Sequence, residues 1–143
     1  KAEVQVGSIL SEYSGSKSAE IAGYHIGKIM YASEDYTGAE IHLLQYLNDQ
    51  TVDMLIPSTA IMLAGISERN GDTVAALSYF DTGMNWSKSK HDKRILNLGK
   101  AKLNYKQGNL EDAKHIAGEI LSEKDLTPVQ KRIAEELLGK ITG

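Results

Sequence analysis

The sequence predicts an all-α chain, an array of about three helix-turn-helix repeats flanked by half-repeat helices. Three observations lead there. Residues of like kind return every 37 positions: Ala2, Ala39, Ala76 and Ala113; Asp35, Asp72 and Asn109; Leu43, Phe80 and Ala117; Leu10, Leu47, Met84 and Leu121. Gly27, Ala64 and Ala101 add a row of small residues, and Ile29, Ile66 and Leu103 an apolar one. Self-similarity at a period of roughly 20–50 residues marks a repeat architecture. Within each period the apolar residues fall at three- and four-residue steps, the spacing of one helix face. Proline, which breaks helix interiors, occurs only twice.

The elements follow in order. Residues 1–13 carry Ala2, Val6, Ile9 and Leu10, in phase with the second helix of a unit whose first helix is missing. Repeat 1, residues 17–50, has a first stripe of Ile21, Ala22, Ile26, Ile29 and Met30. It breaks at Glu34-Asp35-Tyr36 and resumes with Ala39, Leu43, Leu44, Tyr46 and Leu47. Repeat 2, residues 53–87, runs from Ile61 to Ser67, turns at Asn70-Gly71-Asp72 and continues through Ala76, Leu77, Phe80 and Met84. Repeat 3, residues 88–124, spans Ile95 to Tyr105, turns at Gln107-Gly108-Asn109 and continues through Ala113, Ile116, Ala117, Ile120 and Leu121.

Gly71 and Gly108 stand where a helix must stop in a left-handed residue, and Glu34 holds that position in the first unit. The Asp or Asn that follows can cap the next helix. Small residues at Ala39, Ala76 and Ala113 let paired helices approach closely. Residues 127–143 form a capping helix. Thr127-Pro128-Val129-Gln130 supplies an N-cap, a proline in the first turn and a capping box. Val129, Ile133, Leu137 and Ile141 line one face, while Arg132, Glu135, Glu136 and Lys140 form the polar side expected of a terminal cap. Trp86 is expected to pack between units.

The 143 residues amount to one domain, and 41% apolar content is enough to bury a core. There is no Cys, which excludes disulfides, thiolate nucleophiles and Cys-based zinc sites. The net charge of −3 hides an asymmetry. Residues 1–87 hold 4 basic and 11 acidic side chains (net −7), and residues 88–143 hold 12 and 8 (net +4). Basic residues interleave with acidic ones in no dense run, which argues against nucleic acid. The most apolar stretch, Met54 to Ile66, is too short to span a bilayer and is interrupted by Pro57, Ser58 and Thr59. The chain starts at Lys1 rather than Met, which reads as a trimmed or processed product.

Signals of catalysis are missing from the pattern. His25, His42, His91 and His115 are scattered and form no HExxH pair, and there is no GxSxG or phosphate-binding glycine loop. Asn70-Gly71-Asp72 reads as a turn before it reads as a cation site. The expectation is a non-enzyme without metal or cofactor.

The two-helix unit resembles the tetratricopeptide repeat. That family places a small residue within the first helix, matched by Gly27, Ala64 and Ala101. It places Gly-Asp/Asn at the turn, matched by Gly71-Asp72 and Gly108-Asn109-Leu110, and alanine early in the second helix, matched by Ala39, Ala76 and Ala113. The chain departs from the pattern in its 37-residue unit, where 34 is usual, in the lack of a unit-ending proline, and in Lys100, where a core Leu is usual. The resemblance implies a right-handed superhelix whose first helices line a concave, partner-binding face. Carried onto this sequence, that face comprises Tyr24, Lys28 and Tyr31; Ile61, Gly65, Glu68 and Arg69; and Leu98, Lys102, Tyr105 and Lys106. The Lys/Asn clamp by which some members hold a chaperone's C-terminal carboxylate is not matched. Its positions here are Tyr24, Lys28, Met62, Ile95 and Gly99, of which only Lys28 is cationic.

A narrower likeness rests on Tyr13-Ser14-Gly15-Ser16, Ala19, Ala22 and Asp35-Tyr36. It is similar to bacterial envelope proteins of the YfgM-like family, ancillary to the SecYEG translocon. That likeness implies a periplasmic, chaperone-like interaction domain, an inner-membrane anchor upstream of Lys1, and translocon or envelope proteins as partners. A different reading takes the charge asymmetry as head-to-tail assembly, giving a homo-oligomer through acidic N-terminal and basic C-terminal halves.

Overall fold

The computed structural model describes residues 17–49 and 53–143, and these are all-helical. In chain order they form α1 (Lys17–Ala32), α2 (Tyr36–Asp49), a 3-10 turn (Asp53–Leu55), α3 (Ile56–Arg69), α4 (Thr73–Trp86), α5 (Lys90–Lys106), α6 (Leu110–Leu121) and α7 (Pro128–Thr142). The half-repeat helix expected over residues 1–13, and the segment 13–16 behind the narrower likeness, lie outside the described residues.

Three tight turns share one hydrogen-bond scheme. After α1, the amides of Glu34 and Asp35 donate to the carbonyls of Tyr31 and Met30, at 3.1 and 2.9 Å. Gly71 and Asp72 repeat this onto Glu68 and Ser67, and Gly108 and Asn109 onto Tyr105 and Asn104. This pair of bonds is the Schellman closure, which requires a left-handed residue after the helix. Gly71 (φ 76°) and Gly108 (φ 83°) supply it without strain, whereas Glu34 adopts φ 65° with a side chain.

The next helix is then capped unequally. Asp35 and Asp72 accept from the amides of Gly38 (3.1 Å) and Ala75 (2.9 Å). Asn109 makes no such cap; its amide nitrogen faces the Asn104 side chain at 3.4 Å instead. The predicted capping box of α7 is complete. Gln130 N donates to Thr127 Oγ1 at 3.2 Å, and Thr127 N to Gln130 Oε1 at 3.3 Å. Pro57 does not interrupt α3, because it occupies the first turn, where no partner awaits its missing N–H.

Consecutive helices pack pairwise in chain order, as in a helical repeat array. Odd-numbered helices also touch one another, α1 with α3, α3 with α5 and α5 with α7, whereas no comparable contact joins α2 to α4 or α4 to α6. The array therefore stacks more tightly along its odd-helix side, which becomes the inner wall.

Three apolar clusters run along it. Leu43, Leu63 and Ile66 anchor the one among α1, α2 and α3; Ala76, Phe80 and Leu96 that among α3, α4 and α5; Leu98, Ile120 and Leu137 that among α5, α6 and α7. Ala39, Ala76 and Ala113 are all fully buried, which explains their period. Two expectations fail. Ile29, in phase with buried Ile66 and Leu103, is 61% exposed, and Trp86, expected between units, is 46% exposed at the end of α4. Lys100, at a usual core-Leu position, is half-buried and donates to Asp81 Oδ1 at 2.7 Å.

Candidate functional site

The repeat period brings the expected groove residues into register. Tyr24, Ile61 and Leu98 are successive occupants of one helical position, and the structure treats them differently. Tyr24 is 3% exposed; its ring packs at 5.3 Å from Tyr46 and its hydroxyl meets Ser58 Oγ at 2.8 Å. Leu98 is 4% exposed, packed with Ala134 and Leu137 of the capping helix. Both belong to the core rather than to a partner-binding face, because α3 and α7 fold over them. Only Ile61, at 40%, remains open.

Around Ile61 the inner wall forms two neighbouring hollows. One, of about 500 Å³, lies between α3 and α5, with Ile61 and Glu68 on one side, Lys102 and Lys106 on the other, and Phe80 and Gly99 at its base. The second, of about 360 Å³, lies between α5 and α7, among Lys102, Tyr105, Lys106, Ile133, Leu137 and Lys140. Lys102 and Lys106 border both, so the two hollows adjoin across α5 and together make a candidate groove. Five of the eleven residues expected on this face thus converge here: Ile61, Glu68, Lys102, Tyr105 and Lys106. The base depends on a close approach. A Cβ added at Gly99 would sit 2.5 Å from Phe80 Cε1.

The remaining expected residues sit elsewhere. Tyr31 stacks edge-on against Tyr36 at 5.5 Å, and Arg69 lies over the Tyr36 ring at 4.4 Å. Gly65 admits the Tyr31 hydroxyl, since a Cβ there would be 2.7 Å from it. These residues tie the first turn to the end of α3. Lys28 is exposed and borders neither hollow.

The groove's charges are only partly compensated. Lys106 Nζ pairs with Glu68 at 3.3 Å, and Glu136 on the α7 rim with Arg132 at 3.4 Å. Among the described residues, Lys102 and Lys140 face no carboxylate within ion-pair distance.

Sequence reasoning missed the parts that hold α7 in place. Arg94, buried on α5, donates through Nε to Glu123 at 2.5 Å and also binds the Asp125 carboxylate, both in the α6–α7 connection. The Arg94 guanidinium holds the Asp125 carboxyl below its usual range, and the pairing raises Arg94 further. Gln130 also reaches back to α5, its Nε2 lying 3.0 Å from His91 Nδ1. A basic residue in a polar-looking helix start carries no signal that it is buried. Burial raises the pKa of the Tyr79 hydroxyl, and repulsion from Glu40 and Asp72 adds to it.

Among the described residues, no group of three or more His, Asp or Glu side chains is placed to hold a metal ion. Nor is any helix long and apolar enough to cross a membrane. Comparison with protein-family models, curated proteins and solved structures found no match.

Proposed function

We propose that this chain is a non-catalytic interaction domain of the tetratricopeptide-repeat kind. In this reading, an extended segment of a partner protein lies in the groove across α3, α5 and α7. The observation that supports it is the pair of joined hollows on the inner wall, lined by aliphatic, aromatic and cationic side chains. Such a surface offers apolar area to desolvate and polar tips to fix register, the mixture that protein interfaces use. The proposed setting is the periplasm, beside secretion or assembly machinery and tethered by a membrane anchor, as the likeness to YfgM-like proteins implies.

In-cell photo-crosslinking tests this, with the reactive residue placed at Ile61 and separately at Tyr105 in the full-length protein. Adducts to translocon subunits or to proteins in transit are expected. Adducts to cytosolic proteins alone would remove the periplasmic assignment, and no adduct from either position would remove the groove. A second reading, head-to-tail self-assembly, is favoured by the net −7 of residues 1–87 against the net +4 of residues 88–143. It requires a salt-sensitive oligomer, and a monomer at every ionic strength would refute it.

A further inference from the structure

The groove's charge state narrows the chemistry of its occupant. Its rims carry three lysines, Lys102, Lys106 and Lys140, and two carboxylates, Glu68 and Glu136. Each carboxylate already has a cation: Lys106 at 3.3 Å for Glu68, and Arg132 at 3.4 Å for Glu136. Among the described residues, two positive charges, on Lys102 and Lys140, are left over. They stand on opposite walls of the α5–α7 hollow, above an apolar base of Leu137 and half-buried Ile133 and Tyr105. Across Lys102, the α3–α5 hollow offers Ile61 over buried Phe80 and Leu103. Unpaired lysines over an apolar base leave a partner carboxylate favoured and a partner cation opposed, which is how charge sets specificity at an interface.

We propose that the groove selects a partner segment in which acidic and apolar side chains alternate, with a carboxylate held between Lys102 and Lys140 and an apolar side chain against Ile61. This rests on the groove reading above and adds the ligand's charge to it. The selection is confined to the third unit and the capping helix: the inner wall at the corresponding positions of unit 1 carries Lys28, which borders neither hollow, and unit 2 carries Gly65. The acidic occupant therefore sits toward the C-terminal half of the array and not along its whole length.

The test pans a phage-displayed library of random nonapeptides on the full chain and on the Lys102→Glu/Lys140→Glu double variant. The most enriched peptide is then synthesised and titrated by fluorescence anisotropy, with a benzophenone at Ile61 to report its position. Among the described residues neither lysine has an ion-pair partner, so the double variant should melt with the parent, as circular dichroism would check. The parent is expected to enrich acidic-apolar peptides that crosslink from Ile61 and weaken as salt rises. The double variant should bind the same peptide about tenfold or more weakly and enrich basic ones. Neutral or basic peptides that crosslink from Ile61 of the parent would overturn the proposal while leaving the groove reading in place. Absence of any peptide crosslinking from Ile61 would overturn both. A self-associated parent that the double variant converts to monomers would place a second copy in the groove and also overturn it.

Discussion

Replacing Glu34 by glycine should stabilise this protein. Glu34 holds φ 65°, the conformation that Gly71 and Gly108 hold one and two periods later. In that region an L-residue's Cβ crowds the following carbonyl, a penalty of about 1–2 kcal/mol. Its carboxylate also sits just past the C-terminus of α1, where the helix dipole disfavours negative charge by about 0.3 kcal/mol. Against this, glycine loses more backbone freedom on folding, by about 0.5–1 kcal/mol. The Glu34 side chain is exposed, and among the described residues it makes no hydrogen bond or ion pair that glycine would lose. The net gain is therefore about 1 kcal/mol, worth about 3 °C in Tm for a chain of this size. Urea unfolding followed by far-UV circular dichroism reads it as a shifted midpoint with unchanged slope. Glu34→Ala is the control, because it removes the charge but keeps the Cβ, and it should stay near the parent. If Glu34→Gly were no more stable than the parent, or if alanine gained as much as glycine, strain at this turn would not be the reason.

Three further outcomes follow from the same geometry. Gly99→Ala drives a Cβ to 2.5 Å from Phe80 Cε1; overpacking of about 1–3 kcal/mol outweighs the gain of about 1 kcal/mol in helix propensity. The loss should shrink when Phe80→Leu is added, as a double-mutant cycle would read. Asp125 has its folded pKa depressed, first by the Arg94 hydrogen bond, so its contribution is present above its unfolded value near 3.8 and is lost as pH falls through the folded one. Asp125→Asn should therefore flatten the acid limb of stability measured by urea unfolding at stepped pH. Tyr79 has its folded pKa raised above 10.0, first by burial, so its contribution is present below that value and is lost as pH climbs through the folded one. Tyr79→Phe should keep more of its stability in alkaline melts than the parent does.

Legibility in the sequence followed the range of the forces involved. The three turns were readable because a Schellman closure needs a left-handed residue at a fixed offset, and Gly71 and Gly108 announce it. The α7 cap was readable because Thr127 and Gln130 act across three residues. Ala39, Ala76 and Ala113 were readable because close helix packing within a unit repeats with the unit. Asn109 was misjudged as a cap, since Asn104 offered its side chain another partner that spacing does not reveal.

The groove was legible only as a register. Periodicity placed Tyr24, Ile61 and Leu98 in one position and could not say that two of them are covered. Coverage depends on what lies across the array: α3 over Tyr24 through Ser58, and α7 over Leu98 through Leu137. The same holds for Ile133, Leu137 and Lys140, which became a groove wall only because Arg94 and His91 on α5 dock the α6–α7 connection and the start of α7. By itself, then, the sequence determined the helices, their turns and their repeat, because these rest on local backbone geometry and helical period. Which faces stay open, and which lysines go unpaired on them, was decided by tertiary packing, because the contacts that set them, such as Arg94 with Glu123 and Lys106 with Glu68, join residues far apart in sequence.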